Sequence, residues 1–353
     1  MRLPFHLLAL RETTPPWRQA FCAAFGVGLP VLAAIWLHSS WGILFGAVGG
    51  VYASLLDFGG TLKHRLYTQG AGLCILAICG LSGAWLGPHH VVMWVVLAIL
   101  TFGIGWVDGT ASALENILRF STLFLLVNAF LPELPTSAYP YFGLGMAAGL
   151  LAVWLDSLYW PRHLPSTAAG LGPAIRQIMG GHSAGLSHAM GFCLTTCSAL
   201  ALAIMLGYER PAWVATVTLF VIRPDGPDSL RRLFQSVFGA SVGVAVAWCI
   251  AHQIDDARVL LACVVLLAFM RPIALAFNLW GQAATITSLV LVLFDAALGS
   301  EGRAASLALL RIRFLDVLLG SAVALVGTLI FNAASRRHLF SRLVHRRRSP
   351  NPA

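Results

Sequence analysis

Charged residues are what this sequence has least of. Lys, Arg, Asp and Glu make up 10% of its 353 residues, against about 25% in soluble globular domains. Hydrophobic residues make up 58%, and the mean hydropathy is +0.80. A soluble fold cannot cover that much apolar sequence with polar surface, so the chain reads as an all-α polytopic membrane protein. Several chemistries also lack their signatures. No Walker loop, nucleophile elbow or HExxH stands in the chain, which leaves ATP hydrolysis and protease chemistry unsupported. No enzyme activity and no cofactor is expected. The cysteines, Cys22, Cys74, Cys79, Cys193, Cys197, Cys249 and Cys263, all lie in apolar runs without a cluster of other ligand types. They read as small packing residues, not as metal ligands or disulfides. His89 and His90 have no Cys or carboxylate neighbours, so no metal site is expected there either. A signal-peptide layout is missing too: the apolar patch in residues 1–17 is short, and charges follow it. That stretch is expected to be a cytoplasmic interfacial segment.

What is present is a series of apolar runs. A crossing helix needs about 20 mostly apolar residues. On that measure, spans are expected near 18–37, 41–56, 66–86, 91–107, 115–131 and 140–159. A second set is expected near 188–207, 212–223, 233–252, 257–271, 273–295 and 309–332, with Arg271-Pro272 as the corner between two of them. Between the sets lies a polar linker, 160–187, with room for one short interfacial helix near 168–179. A basic tail, 333–353, closes the chain. Cationic residues test this count. With the N-terminus inside, eighteen of the 23 Lys and Arg fall on the inner side. The exceptions are Arg210, Arg258, Arg303, Arg311 and Arg313. Such a bias is the orientation signal of an inner-membrane protein with both termini cytoplasmic. It also accounts for the net charge of +9 without nucleic acid as a partner.

One stretch organises the second half. The apolar run Trp213 to Ile222 stops in Arg223-Pro224-Asp225-Gly226-Pro227-Asp228-Ser229, and Arg231-Arg232 leads into the next run. Pro and Gly at that density end a helix. A weaker echo, Asp57-Phe58-Gly59-Gly60-Thr61-Leu62-Lys63-His64-Arg65, follows the run that starts at Trp41. Asp57, Thr61, Leu62 and Lys63 then align with Asp225, Ser229, Leu230 and Arg231. The echo predicts a duplication: two six-helix repeats, 18–159 and 188–332, parallel about an axis along the membrane normal.

Two groups of residues carry candidate chemistry. At the hinge, Arg223, Asp225, Arg231 and Arg232 form either a plain cytoplasmic turn or a cationic mouth that gathers anions. On the last helix, the apolar run Val317 to Phe331 is too short to span alone, which draws Arg313 and Asp316 into the membrane. Intramembrane charges favour a polar interior. Arg311, Arg313 and Asp316 therefore read as a substrate and coupling site, or Arg313 and Asp316 as a structural pair. Both are expected to face the plane between the halves. Asp156, near a helix end, is expected to snorkel to the interface.

The pattern Trp213, Ala215, Thr216, Arg223, Pro224, Asp225, Ser229, Leu230, Arg232, Gly239, Gly243 resembles the fusaric acid resistance protein-like (FUSC) family, which includes aromatic acid exporters. Arg311, Arg313, Asp316 and Gly320 are similar to that family's closing segment. The resemblance implies an exporter of small organic acids driven by the proton gradient, in a form without a large cytoplasmic domain. A channel-like anion conduit, and a scaffold or accessory subunit of an efflux system, are the alternatives. The lipid bilayer and small organic anions are the expected partners. A second copy of the chain or a periplasmic membrane-fusion protein is the candidate protein partner.

Overall fold

The structure is a computed structural model. It describes residues 13–110, 112–131, 138–160, 164–181, 183–224, 226–254, 256–298 and 303–331. Among these the regular structure is helical: α1 Trp17–Trp36, α2 Ser40–Leu55, α3 Leu62–Leu86, α4 Val91–Val107, α5 Ala113–Ala129, α6 Ala138–Tyr159, α7 Leu171–Met179, α8 Leu186–Met205, α9 Pro211–Val221, α10 Gly226–Gln253, α11 Ala257–Phe277, α12 Leu279–Leu298 and α13 Arg303–Phe331. Each expected apolar run falls largely on one of these helices, although the run 273–295 begins inside α11 and continues in α12. Among the described residues, eight helices are long and apolar enough to cross a membrane: α1, α3, α6, α8, α10, α11, α12 and α13. The apolar helices α2, α4 and α9 are shorter.

Three boundaries differ from expectation, two of them for a local reason. The helix passes through Pro272 and ends at Asn278, whose backbone is extended. A membrane helix tolerates an internal Pro where neighbours satisfy the freed carbonyl. Helix α10 starts at Gly226 instead of near 233, because Pro227 in a first turn removes only a donor that has no intrahelical partner. Helix α13 starts at Arg303 instead of near 309. The two hinges are therefore not identical. Thr61 caps α3 from outside, accepting from the His64 N–H. Ser229 lies inside α10 and bonds back to both the N–H and the C=O of Arg223.

The first six helices pack α1 on α2 and α6, α2 on α6, and α3 on α5. The last six pack α8 on α9 and α13, α9 on α13, and α10 on α12. Across the halves α4 meets α8 and α1 meets α11, while α5 meets α9 and α2 meets α12. Small residues permit the closest approaches. A Cβ on Gly50 would strike the Gly26 carbonyl, and one on Gly145 would strike the Gly46 carbonyl, the close helix packing that lipid-embedded bundles use. The linker closes one end of the first half. The Gly60 N–H donates to the Leu164 carbonyl (3.0 Å), Thr167 to Phe58 (2.8 Å) and Ala113 to Ala169 (2.9 Å). Gly59 and Gly60, at φ +73° and +96°, make the turn that a side chain would strain.

Candidate functional site

Helix α9 has 11 residues. At 1.5 Å per residue it covers about 16 Å, roughly half the hydrocarbon thickness. Both of its ends carry an arginine, Arg210 at the start and Arg223 just beyond the finish.

At the hinge end the charges are saturated. Arg223 bonds Asp108 (2.9 Å) and also contacts the Glu115 carboxylate. Arg119 of α5 donates to Asp108 at 2.8 Å, donates to the Leu219 carbonyl near the end of α9, and lies over the Phe192 ring of α8 at 5.5 Å. The other oxygen of Asp108 pairs with His188 Nε2 at 3.0 Å. Asp108 and Arg119 side chains have no solvent exposure. Two carboxylates thus meet two guanidinium groups, and the cluster joins the first half to the second. Burial opposes ionisation of Asp108, but Arg119, the His188 hydrogen bond and Arg223 prevail and hold its carboxyl well below the usual carboxylate range. Burial opposes the Arg223 charge too, and Asp108 with Glu115 more than offsets it, raising its value. Of the other hinge residues, Asp225 lies outside the described residues. Arg231 and Arg232 are half-buried on α10.

The first half has a comparable cluster. Asp57 accepts from Arg65 at 2.9 and 2.6 Å. Asp156 accepts from Arg65 at 2.5 Å and from Arg18 at 2.9 and 3.0 Å. Asp156 therefore does not snorkel. It is 6% exposed and ties α6 to α1 and α3. From the second half, Arg271 donates to the Ser54 carbonyl at 2.9 Å, near the end of α2. Arg119 does the same for α9. In each case an arginine of one half satisfies a carbonyl that the other half's short helix leaves near its terminus.

The other end of α9 is built differently. Asp316 on α13 is 1% exposed, and neither carboxylate oxygen has a hydrogen-bond partner. Arg313 lies over the Trp213 ring at 4.2 Å, with a buried Nη1 that donates to nothing. Arg313 and Asp316 sit one turn apart without a salt-bridge contact. Arg210 lies over the Phe294 ring of α12 at 5.2 Å. The charges acting on Asp316 are those of Arg313, Arg210 and Glu209. Register explains the meeting. Gly320 seats against the Val214 carbonyl, and one turn back on each helix come Asp316 and Arg210. Arg311 is exposed. The main neighbours of α13 are α8, α9 and α10, Asp316 is buried and Arg313 lies over Trp213 of α9. Arg313 contributes its charge from a half-buried position and Asp316 from a buried one. Residue order had not singled out Arg210 or Asp108. The signal available for both was a charge directly flanking an apolar run.

Among the described residues no group of three or more His, Cys, Asp or Glu could hold a metal ion. No curated protein and no solved structure matches the chain. Residues 196–327 match the family model described as fusaric acid resistance protein-like. That span holds both Trp213 to Gly243 and Arg311 to Gly320, and over it this membrane protein matches the fusaric acid resistance protein-like family.

Proposed function

We propose that the protein is an inner-membrane exporter of small aromatic organic acids, coupled to protons, with both termini cytoplasmic. The family match supports a membrane transporter or resistance function. The observation that carries the finer reading is Asp316, a buried carboxylate without a hydrogen-bond partner beside Arg313. A structural charge in a low-dielectric site is normally paired. An unpaired one is suited to exchange a proton as a substrate anion arrives and leaves. When ionised it repels a carboxylate held by the arginines; when protonated it does not.

The helix neighbours support two parallel repeats, 18–159 and 188–332. Matching α1–α6 to α8–α13 in order turns every main contact of one half into a contact of the other. It also turns α4 on α8 into α11 on α1, and α5 on α9 into α12 on α2. That reciprocity is what a two-fold axis along the membrane normal requires. The short helices α2 and α9 then occupy corresponding positions, where transporters built of repeats place their sites. In this scheme the Asp108 cluster clasps the halves at the cytoplasmic end. Its opening frees Arg223 to join Arg231, Arg232 and Asp225 at the mouth.

The test is uptake of a panel of aromatic acids into inside-out vesicles, with and without a proton gradient, for the wild type and Asp316→Asn. Gradient-driven uptake whose pH dependence flattens in Asp316→Asn is expected. Uptake indifferent to the gradient would establish the conduit instead, and no uptake would leave the scaffold.

A further inference from the structure

Arg210 sat on the outer side in the charge count and entered no site. The structure brings it within electrostatic reach of Asp316. Arg210 precedes α9 and Arg313 lies on α13, and both charges act on the same buried carboxylate. Each guanidinium lies over an aromatic ring, Arg210 over Phe294 at 5.2 Å and Arg313 over Trp213 at 4.2 Å. A guanidinium that sits over a ring leaves N–H edges free to donate, in the fork geometry that fits a carboxylate. Arg313 Nη1 is such an edge, buried and without an acceptor. Two cations against one buried carboxylate leave an excess of one positive charge. Glu209 is exposed at the rim, where solvent screens it.

Resting on the reading of Arg313 and Asp316 as a transport site, we propose that Arg210 is the second cation of that site. The two guanidinium edges hold one small planar monoanion whose apolar body lies against Trp213 and Phe294. The shortness of α9 is part of the device. A helix of 11 residues brings the residue before it below the membrane surface, so that an arginine in a loop reaches the level of one on a helix. Arg311, two residues from Arg313, is exposed and takes no part. While Asp316 is ionised the arrangement selects for a single negative charge, because a dianion would then exceed the available positive charge. It selects against a cation of the same shape, which would meet both arginines.

The experiment measures saturable binding of radiolabelled benzoate to the full chain in lipid nanodiscs, with benzylamine as the cationic control. Wild type is expected to bind benzoate and not benzylamine. Arg210→Gln and Arg313→Gln should each weaken benzoate binding at least tenfold, and Arg311→Gln less than twofold. Arg210→Lys keeps the charge and loses the planar edge. It should also weaken binding at least tenfold, and it replaces Arg210→Gln if that variant fails to give a monodisperse protein. If both Arg210 variants bind as wild type while Arg313→Gln does not, Arg210 is no part of the site and the inference fails alone. If Arg313→Gln also binds as wild type, or wild type shows no saturable binding, the site reading fails with it.

Discussion

The two ends of α9 treat buried charge in opposite ways. At the hinge, Asp108 meets Arg119, Arg223 and His188 within 3.0 Å. At the start of the helix, Asp316 is as deeply buried and accepts from nothing, while the arginines nearby rest on aromatic rings. Both regions lie in an apolar bundle, so the cost of burying an ion is similar in each. What differs is the partner. The hinge cluster is balanced inside the protein and belongs to the architecture that holds the halves together. The Asp316 site is unbalanced, which is the condition for a group that must receive something from outside.

The largest expected effect tests the saturated side. Asp108→Asn leaves Glu115 as the anion that Arg119 and Arg223 share, and losing one partner of a buried ion pair costs about 3–5 kcal/mol. Thermal unfolding in detergent should register it, and a wild-type midpoint would remove the structural role. The pH sign follows from the depressed carboxyl of Asp108. Its stabilisation is complete above the unfolded carboxylate value of about 4 and is lost only as pH falls through the lower folded value. The gap between wild type and Asp108→Asn should therefore be constant between about pH 5 and about pH 8. A gap that closes within that window would mean that another group sets it.

A smaller loss is expected from Asp156→Asn. Arg65 keeps Asp57 as its partner, and Arg18, the partly exposed donor, can turn to water. About 1–3 kcal/mol is the cost of one such unmade bond. A loss as large as that of Asp108→Asn would show that the first-half cluster is held as tightly as the inter-half one. The smallest effect sharpens the comparison. Asp316→Asn removes a buried carboxylate that accepts no hydrogen bond, although Arg210 and Arg313 lose the anion they act on, so the unfolding midpoint should change less than in Asp156→Asn. A drop of the Asp108→Asn size would place Asp316 among the structural pairs and erase the difference between the two ends.

Much of the fold was legible in the residue order because lipid imposes a simple rule. A spanning helix must be long and apolar, and its loops must carry the cations. Trp213 to Ile222 followed by Arg223-Pro224 announced a helix end, and α9 ends at Val221. The rule is silent where a helix may continue through a breaker. Pro272 looked like a corner, and the corner is at Asn278. It is silent also about which way a polar side chain turns. Asp156 could have reached the interface, and it turns inward because Arg18 and Arg65, 138 and 91 residues earlier, lie on the helices against it.

By itself the sequence determined the membrane class, the helical runs, the two hinges and the presence of intramembrane charge on the last helix. Each follows from composition or from neighbours along the chain. Only the tertiary structure decided which charges are matched. Asp108 and Arg223 are 115 residues apart and bonded, while Arg313 and Asp316 are three apart and unbonded. Pairing of charge in a low dielectric depends on distances of a few ångströms in space, and sequence separation does not set those.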